Sequence, residues 1–426
     1  MYAQLAAWCY FLYGFGPVVP LLRDELRISR AVASLHGTAF AVGAIIAAMI
    51  IPRLTRRIGR HRLIWLGLTL VCVAVLGLWG SYHLALTLSF AMLGSFSGAF
   101  VVNGVVSALS DHHGAAGPAS ISEANAAAAA VGLVAPLVVG GSVIMGFGWR
   151  PGLAIALVPV AFLALFYRVR APEPAPVRTV GGRRARPLPR SYWLAFVSIF
   201  ATGSAETCIT LWVADVLRDH AHVSPGTATA AVSTLVAGMF VGRLVGGRLV
   251  LLYRPTLVLL GSLVISAAGF AVFWSATVPW LAMAGLIVCG LGVALHYPLG
   301  IGLAVAHSDG QPDLAAARAA VAVGTSFAVA PFALGAIADR IGPHPAFLVV
   351  PAFLALSALV VLRLDRTDRR AGAGAVTLLA AGDGDAVGER EHDRLHALVA
   401  QHQVVEVHDH AGVRVVRVGV EHPAGA

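Results

Sequence analysis

Five polar side chains stand where the surrounding sequence can least carry them. Glu206 lies inside the apolar run 192–216, Arg243 inside 226–252, His296 inside 279–306, Asn103 inside 84–109 and Tyr13 inside 3–22. An ionisable group in hydrocarbon costs several kcal/mol, so each is a candidate for function before it is a candidate for packing. Glu206 is the sharpest. It falls about 15 residues into its run, roughly 22 Å along a helix rising 1.5 Å per residue, near the middle of a bilayer. A carboxyl in low dielectric favours its neutral form and can load and release a proton; the alternative is a structural ion pair. Arg243 can hold an anion in a two-pronged contact, neutralise Glu206, or snorkel to an interface. His296, followed by Tyr297 and Pro298, can serve a proton relay or be a hydrogen-bonded core residue. Asn103 can contact a solute or join two helices. Tyr13 belongs to an aromatic set with Trp8, Tyr10, Phe11 and Phe15, which can line a cavity or pack.

The elements that must position these groups are membrane helices. Of 426 residues, 58% are hydrophobic and 12% charged, about half the charge of a soluble domain. A span needs about 20 apolar residues. Such runs fall at 3–22, 34–52, 63–80, 84–109, 119–147 and 150–167, and again at 192–216, 226–252, 256–275, 279–306, 314–338 and 345–362. The first run lacks a basic flank and a small-residue cleavage site, so it reads as a helix and not a signal peptide. Between the two sets, 168–191 carries Arg168, Arg170, Arg178, Arg183, Arg184, Arg186 and Arg190 among prolines, and reads as a cytoplasmic linker. The predicted organisation is therefore an N-terminal six-helix bundle 1–167, a linker 168–191, a C-terminal bundle 192–362 and a polar cytoplasmic tail 363–426. The tail is expected to lack fixed structure. Alternation over 402–421 around Asp409-His410-Ala411-Gly412 leaves a hairpin as the other reading, with His392, His396, His402, His408 and His410 able to bind a metal.

The formal charge of +9 is carried by arginine alone and is gathered in short loops, which argues against a nucleic-acid groove. Arg53, Arg56, Arg57, Arg60 and Arg62, the linker, and Arg363, Arg366, Arg369 and Arg370 fall on one side. Arg23, Arg27, Arg30, Arg150, Arg218 and Arg340 fall on the other. By the positive-inside rule both termini face the cytoplasm. Cys9, Cys72, Cys208 and Cys289 each sit in an apolar run and read as small packing residues.

The two sets of runs repeat each other at a shift of about 195 residues. Leu22-Arg23-Asp24 followed by Ile28-Ser29 returns as Leu217-Arg218-Asp219 followed by Val223-Ser224. Ala135-Pro136 with Gly140 returns as Ala330-Pro331 with Gly335, and Gly94 and Gly104 return as Gly290 and Gly300. A repeat of six helices starts its second copy in the orientation of its first, which is a parallel repeat about the membrane normal. Glu123 and Arg318, near the inner ends of two repeat-related runs, can form a cytoplasmic gate pair or face lipid headgroups.

Over roughly residues 1–365 the sequence resembles the major facilitator superfamily. The segment Arg53-Leu54-Thr55-Arg56-Arg57-Ile58-Gly59-Arg60-His61-Arg62 is similar to that family's signature between helices 2 and 3, Gly-x-Leu-Ala-Asp-Arg-x-Gly-Arg-Arg. Leu54, Arg57, Gly59 and Arg60 fit. Pro52 stands at the first Gly and Arg56 at the Asp, and in the family that Asp helps to gate the cytoplasmic side through a charge and helix-dipole network. A second copy around Gly247 to Arg254 is weaker. Gly132, Pro136, Gly140 and Gly141 resemble the family's antiporter signature; small residues there let helices 5 and 8 approach, and Pro136 kinks the helix.

The resemblance implies an all-α membrane protein of twelve helices in two bundles, rocking about a midplane site. It implies a cavity lined by helices 7 and 10, hence by Glu206 and His296, with Arg243, Asn103 and Tyr13 as the further candidates for contact with the solute. Gating falls to Arg57, Gly59, Arg60, Glu123 and Arg318. The expected function is a secondary transporter of a small solute, coupled to protons by Glu206 and His296, working as an efflux antiporter. The rivals are a facilitator or symporter of an organic anion held by Arg243, and a non-transporting membrane sensor or scaffold. No phosphate-cradling loop and no nucleophile–base set is present, so neither ATP hydrolysis nor an enzyme is expected. No cofactor and no metal is expected. The partners are the solute, the proton and the bilayer, with no nucleic acid, and the chain is expected to act as a monomer in a bacterial cell membrane.

Overall fold

A computed structural model describes residues 1–113, 117–166, 187–380, 405–410 and 413–418. Most of the linker 168–191 and most of the tail, with His392, His396 and His402, lie outside the described residues. The N-terminal half comprises α1 (Tyr2–Leu26), α2 (Arg30–Ile58), α3 (Arg60–Gly80), α4 (Leu84–His113), α5 (Gly117–Ile144), and a broken sixth span of α6 (Trp149–Ala154) and α7 (Leu157–Phe166). The C-terminal half repeats the order as α8 (Arg190–His220), α9 (Pro225–Leu252), α10 (Pro255–Ser275), α11 (Pro279–Ala306), α12 (Pro312–Ile341), α13 (Pro343–Ala346) and α14 (Val349–Ala380). Among the described residues, eleven helices are long and apolar enough to cross a membrane, and the sixth span is a shorter apolar helix. Its break has a local cause. Pro159 cannot donate to the turn before it, and the chain tightens there: Ala156 N bonds Leu153 O and Val158 N bonds Ile155 O.

The chain forms two compact units, Met1–Val360 and Val361–Ala426. In the second, where the sequence reading expected no fixed structure, β1 (Val405–His410) pairs antiparallel with β2 (Val413–Val418), Val405 opposite Val418 and His410 opposite Val413.

The repeat is visible in the backbone. Arg27, after α1, and His222, after α8, both take the left-handed conformation, at φ 53° and 51°. Each is followed two residues later by a serine that caps the next helix: Ser29 Oγ accepts from Val32 N at 3.2 Å, and Ser224 Oγ from Thr227 N at 3.3 Å. A left-handed residue reverses the chain, and the serine takes one of the first-turn N–H groups that a helix cannot bond itself.

The halves meet along two repeat-related seams, α2 with α12 and α5 with α9, and along α1 with α8. Small residues set the spacing. A Cβ on Gly140 would come within 2.5 Å of Gly226 O, and one on Gly335 within 2.6 Å of Ser34 Oγ. The kinks recur at the same places. Ser233 Oγ donates to Leu133 O at 2.9 Å, and Thr38 Oγ to Ala328 O at 2.7 Å. Each carbonyl lies in the turn that Pro136 or Pro331 opens by lacking an N–H, and a hydroxyl of the other half enters it. Where α1 touches α8, a Cβ on Gly16 would lie 3.4 Å from Thr210 O.

Ion pairs close one end of these seams. Asp215 Oδ2 receives Arg23 Nη1 and Arg30 Nε, each at 2.7 Å, and Asp24 Oδ2 meets Arg218 at 2.6 Å. Asp215 is only 3% exposed. The described bonds between the halves gather toward this end, which is the end of α1, the start of α2 and the end of α8. At the opposite end, Arg60 pairs with Asp111 of its own half.

The seam predicts a contrast. Gly140→Leu should lower the melting transition of the purified protein, by the equivalent of about 1–3 kcal/mol for an overpacked contact. Gly141→Leu, whose Cβ meets nothing within 4 Å, should melt like wild type. Equal melting of the two variants in a thermal-shift assay would show that the seam is not tightly packed.

Candidate functional site

Four helices bring the site together. α8 supplies Glu206, α9 Arg243, α1 Tyr13 and Cys9, and α11 Tyr297. Glu206 sits one turn before Thr210, whose hydroxyl donates back to the Glu206 carbonyl at 2.8 Å; Gly203 lies one turn the other way. Arg243 is the charged neighbour of Glu206. Its guanidinium also lies against the Tyr13 hydroxyl as a donor, with the Cys9 thiol close by. Tyr297 is within reach of the Glu206 charge. Among the described residues no ion pair joins Glu206 and Arg243 directly. Glu206, Tyr13 and Cys9 are half-buried, and Arg243 and Tyr297 are exposed. A carboxylate, a guanidinium and two phenols, drawn from both halves, are thus at least partly accessible, with the two charges near each other and not directly bonded.

This arrangement can do two things. Two opposite charges that are neighbours without a direct bond can each take a further partner: a proton or cation at Glu206, an anionic or polar group at Arg243. Because α1 belongs to one half and α8, α9 and α11 to the other, the cluster spans the interface between the halves.

The other expected site residues are placed elsewhere. His296 does not join the cluster. Its ring is fully buried between α10 and α11, with Nε2 3.2 Å from Ser266 Oγ, so the structure gives it the part of a core histidine. Asn103 is exposed and its Nδ2 donates to Ala99 O of its own helix at 2.8 Å. Glu123 accepts from the Tyr2 hydroxyl at 2.9 Å, and the Arg318 guanidinium lies 5.7 Å from the Trp193 ring centre. Each of these two is held within its own half, so they do not form a gate pair in this state. Gly59 turns the chain between α2 and α3 at φ 79°, Arg60 anchors to Asp111, and Arg57 is exposed. Gly132 receives the Tyr13 ring, which a Cβ would approach to 2.4 Å; this places the phenol toward Arg243. Pro331 offers its carbonyl to Ser34 Oγ at 2.8 Å.

Sequence reading missed Cys9 and Tyr297 as members of the cluster, and missed Asp215 and Asp339. Asp215 had a signal: it is an acid inside the apolar run 192–216, and the rule that singled out Glu206 applies to it equally.

A family model described as the Major Facilitator Superfamily matches residues 5–214 and again 194–381. No curated protein matches the sequence. Among solved structures, a bacterial homologue of the human lysosomal transporter Spinster, in an inward-facing and occupied conformation, superposes with a TM-score of 0.66 at 14% identity, covering 86% of this chain and 96% of that one. The nucleoside transporter NupG gives 0.71 at 12% identity, covering 85% and 97%. At such identities the likeness is one of fold.

The placement of His296 and Arg243 predicts opposite costs. His296→Ala removes a buried hydrogen-bonded ring and should lower the melting transition by the equivalent of about 1–3 kcal/mol. Arg243→Ala, at an accessible position, should leave melting near wild type. A thermal-shift measurement in which Arg243→Ala is the more damaged of the two would mean that Arg243 is structural.

Proposed function

The chain belongs to the major facilitator superfamily of membrane transporters, and we propose that it moves a small solute by alternating access in exchange for protons. The observation that carries this reading is the cluster of Glu206, Arg243 and Tyr13 across the two halves. Glu206 is the proton carrier. With its proton bound it is neutral and leaves Arg243 to Tyr13; without it, the carboxylate attracts Arg243 or a cationic group of the solute. Proton and solute then compete for one set of charges, which is the requirement for exchange, and each binding event bears on residues of both halves. Arg243 and the phenols of Tyr13 and Tyr297 contact the solute. In this reading the protein lies in a bacterial cell membrane with both termini cytoplasmic, and works as a monomer that exports its solute.

The exposure of Arg243 favours one second reading, in which the solute is an organic anion held by the guanidinium and Glu206 tunes that cation. The two readings separate experimentally. In everted vesicles carrying a proton gradient, followed by a pH-sensitive dye, lipophilic cations, organic acids and amino acids are added in turn. A compound that collapses the gradient with wild type and not with Glu206→Gln supports proton exchange through Glu206. Uptake of a labelled acid that survives Glu206→Gln but is lost in Arg243→Gln supports the anion reading instead. If no compound distinguishes wild type from empty vesicles, the exchange reading fails for that panel.

A further inference from the structure

The segment 53–62 departs from its family pattern at the position that would lock one end of the molecule, where the exposed Arg56 replaces Asp. The pattern is intact at the other end. Gly335-Ala336-Ile337-Ala338-Asp339-Arg340-Ile341-Gly342 reproduces Gly-x-Leu-Ala-Asp-Arg-x-Gly with one change, Ile337 for Leu. It closes α12, and it reaches the start of α2, a helix whose far end carries Arg56.

The contact it makes there is specific. Asp339 Oδ1 accepts from Arg30 N and Oδ2 from Ala31 N, both at 2.9 Å. These are first-turn N–H groups that α2 cannot bond itself, and Ser29 Oγ takes the next, that of Val32. The carboxylate therefore sits at the positive end of the helix dipole in two charge-assisted bonds. It comes from one half and the helix from the other. Gly335, one turn earlier, allows the approach: a Cβ there would lie 2.8 Å from Arg30 O. Arg30 in turn sends its side chain to Asp215 of α8, so one residue of α2 is held by its backbone to α12 and by its side chain to α8.

The repeat-related seam has no such device. The residue 195 positions before Asp339 is Ile144, which packs against Gly226. α9 opens with Pro225, which has no N–H to offer. At the opposite end Arg60 is paired within its own half, with Asp111.

We infer that Asp339 is the latch of the Asp215 end: its carboxylate, capping α2 across the two halves, holds this end shut. With no acid at position 56 to hold the other end, the molecule rests with the 53–62 end open. Opening of the latched end requires release of the Arg30 and Ala31 amides together with the Asp215 bridge. This does not depend on what Glu206 carries.

Pulsed electron–electron spin resonance in liposomes tests it. Cys9, Cys72, Cys208 and Cys289 are first replaced by serine or alanine. Spin labels are then placed at Met145 and Val278, exposed residues of the two halves at the latched end, or at Arg62 and Tyr253 at the other. Asp339→Asn, which keeps the shape and removes the charge, should lengthen the Met145–Val278 distance distribution and shorten the Arg62–Tyr253 one. Arg340→Gln, its exposed neighbour, should change neither. Gly335→Ala pries the same seam apart without touching the carboxylate, and should shift both distributions in the same direction as Asp339→Asn; it serves if Asp339→Asn does not fold. Distributions unchanged in the folded variants, or changed equally by Arg340→Gln, would overturn the latch.

Discussion

Hydrocarbon does not hydrogen-bond, and that constraint organises this protein. Every backbone amide inside the bilayer must be satisfied within the chain, so the spans are helices. Where proline breaks the ladder, another group steps in. The carbonyls of Leu133 and Ala328, beside Pro136 and Pro331, receive the hydroxyls of Ser233 and Thr38 from the opposite half. These hydroxyl bonds beside the prolines also fasten the halves, each bundle supplying a donor at the repeat-related position.

The same constraint sorts the charges. A charge in this medium must find a partner or face accessible space. Asp215, 3% exposed, is met by two arginines, and Asp339 by two amides and a helix dipole. Glu206 and Arg243 are the exception: neighbours, partly accessible, and without a direct bond. Charges fully engaged with each other hold an interface; charges left with free valence can be exchanged for a proton or a solute. The engaged charges lie at one end of the seams, and Glu206 lies deeper along α8, about two and a half turns from Asp215 at 3.6 residues per turn.

The two halves are repeats in backbone but not in chemistry. The left-handed residues Arg27 and His222, the caps Ser29 and Ser224, and the seam glycines Gly335 and Gly140 correspond. Glu206 and Arg243 have no counterparts of like charge, since Phe11 stands 195 residues before Glu206, and Arg243 has Ala48. Duplication supplies a symmetric scaffold, and the charges of the cluster come from one half, with Tyr13 and Cys9 reaching across from the other.

The sequence by itself determined the class of fold, the count of spans and the repeat, because these follow from composition and period: runs of about 20 apolar residues and matched turns at a constant offset. It also picked out Glu206, Arg243 and Tyr13, because a polar group in an apolar run is conspicuous whatever surrounds it. It did not determine which polar groups meet. His296 was a candidate beside Glu206, yet α10 covers it; Glu123 and Arg318 matched in the repeat, yet each is held within its own half. Asp339 and the start of α2 are some three hundred positions apart, and no local pattern links a carboxylate to two backbone amides. Partnership between distant helices depends on their rotation and approach, which small residues such as Gly335 and Gly140 permit but do not specify, and only the packed bundle settles those two quantities.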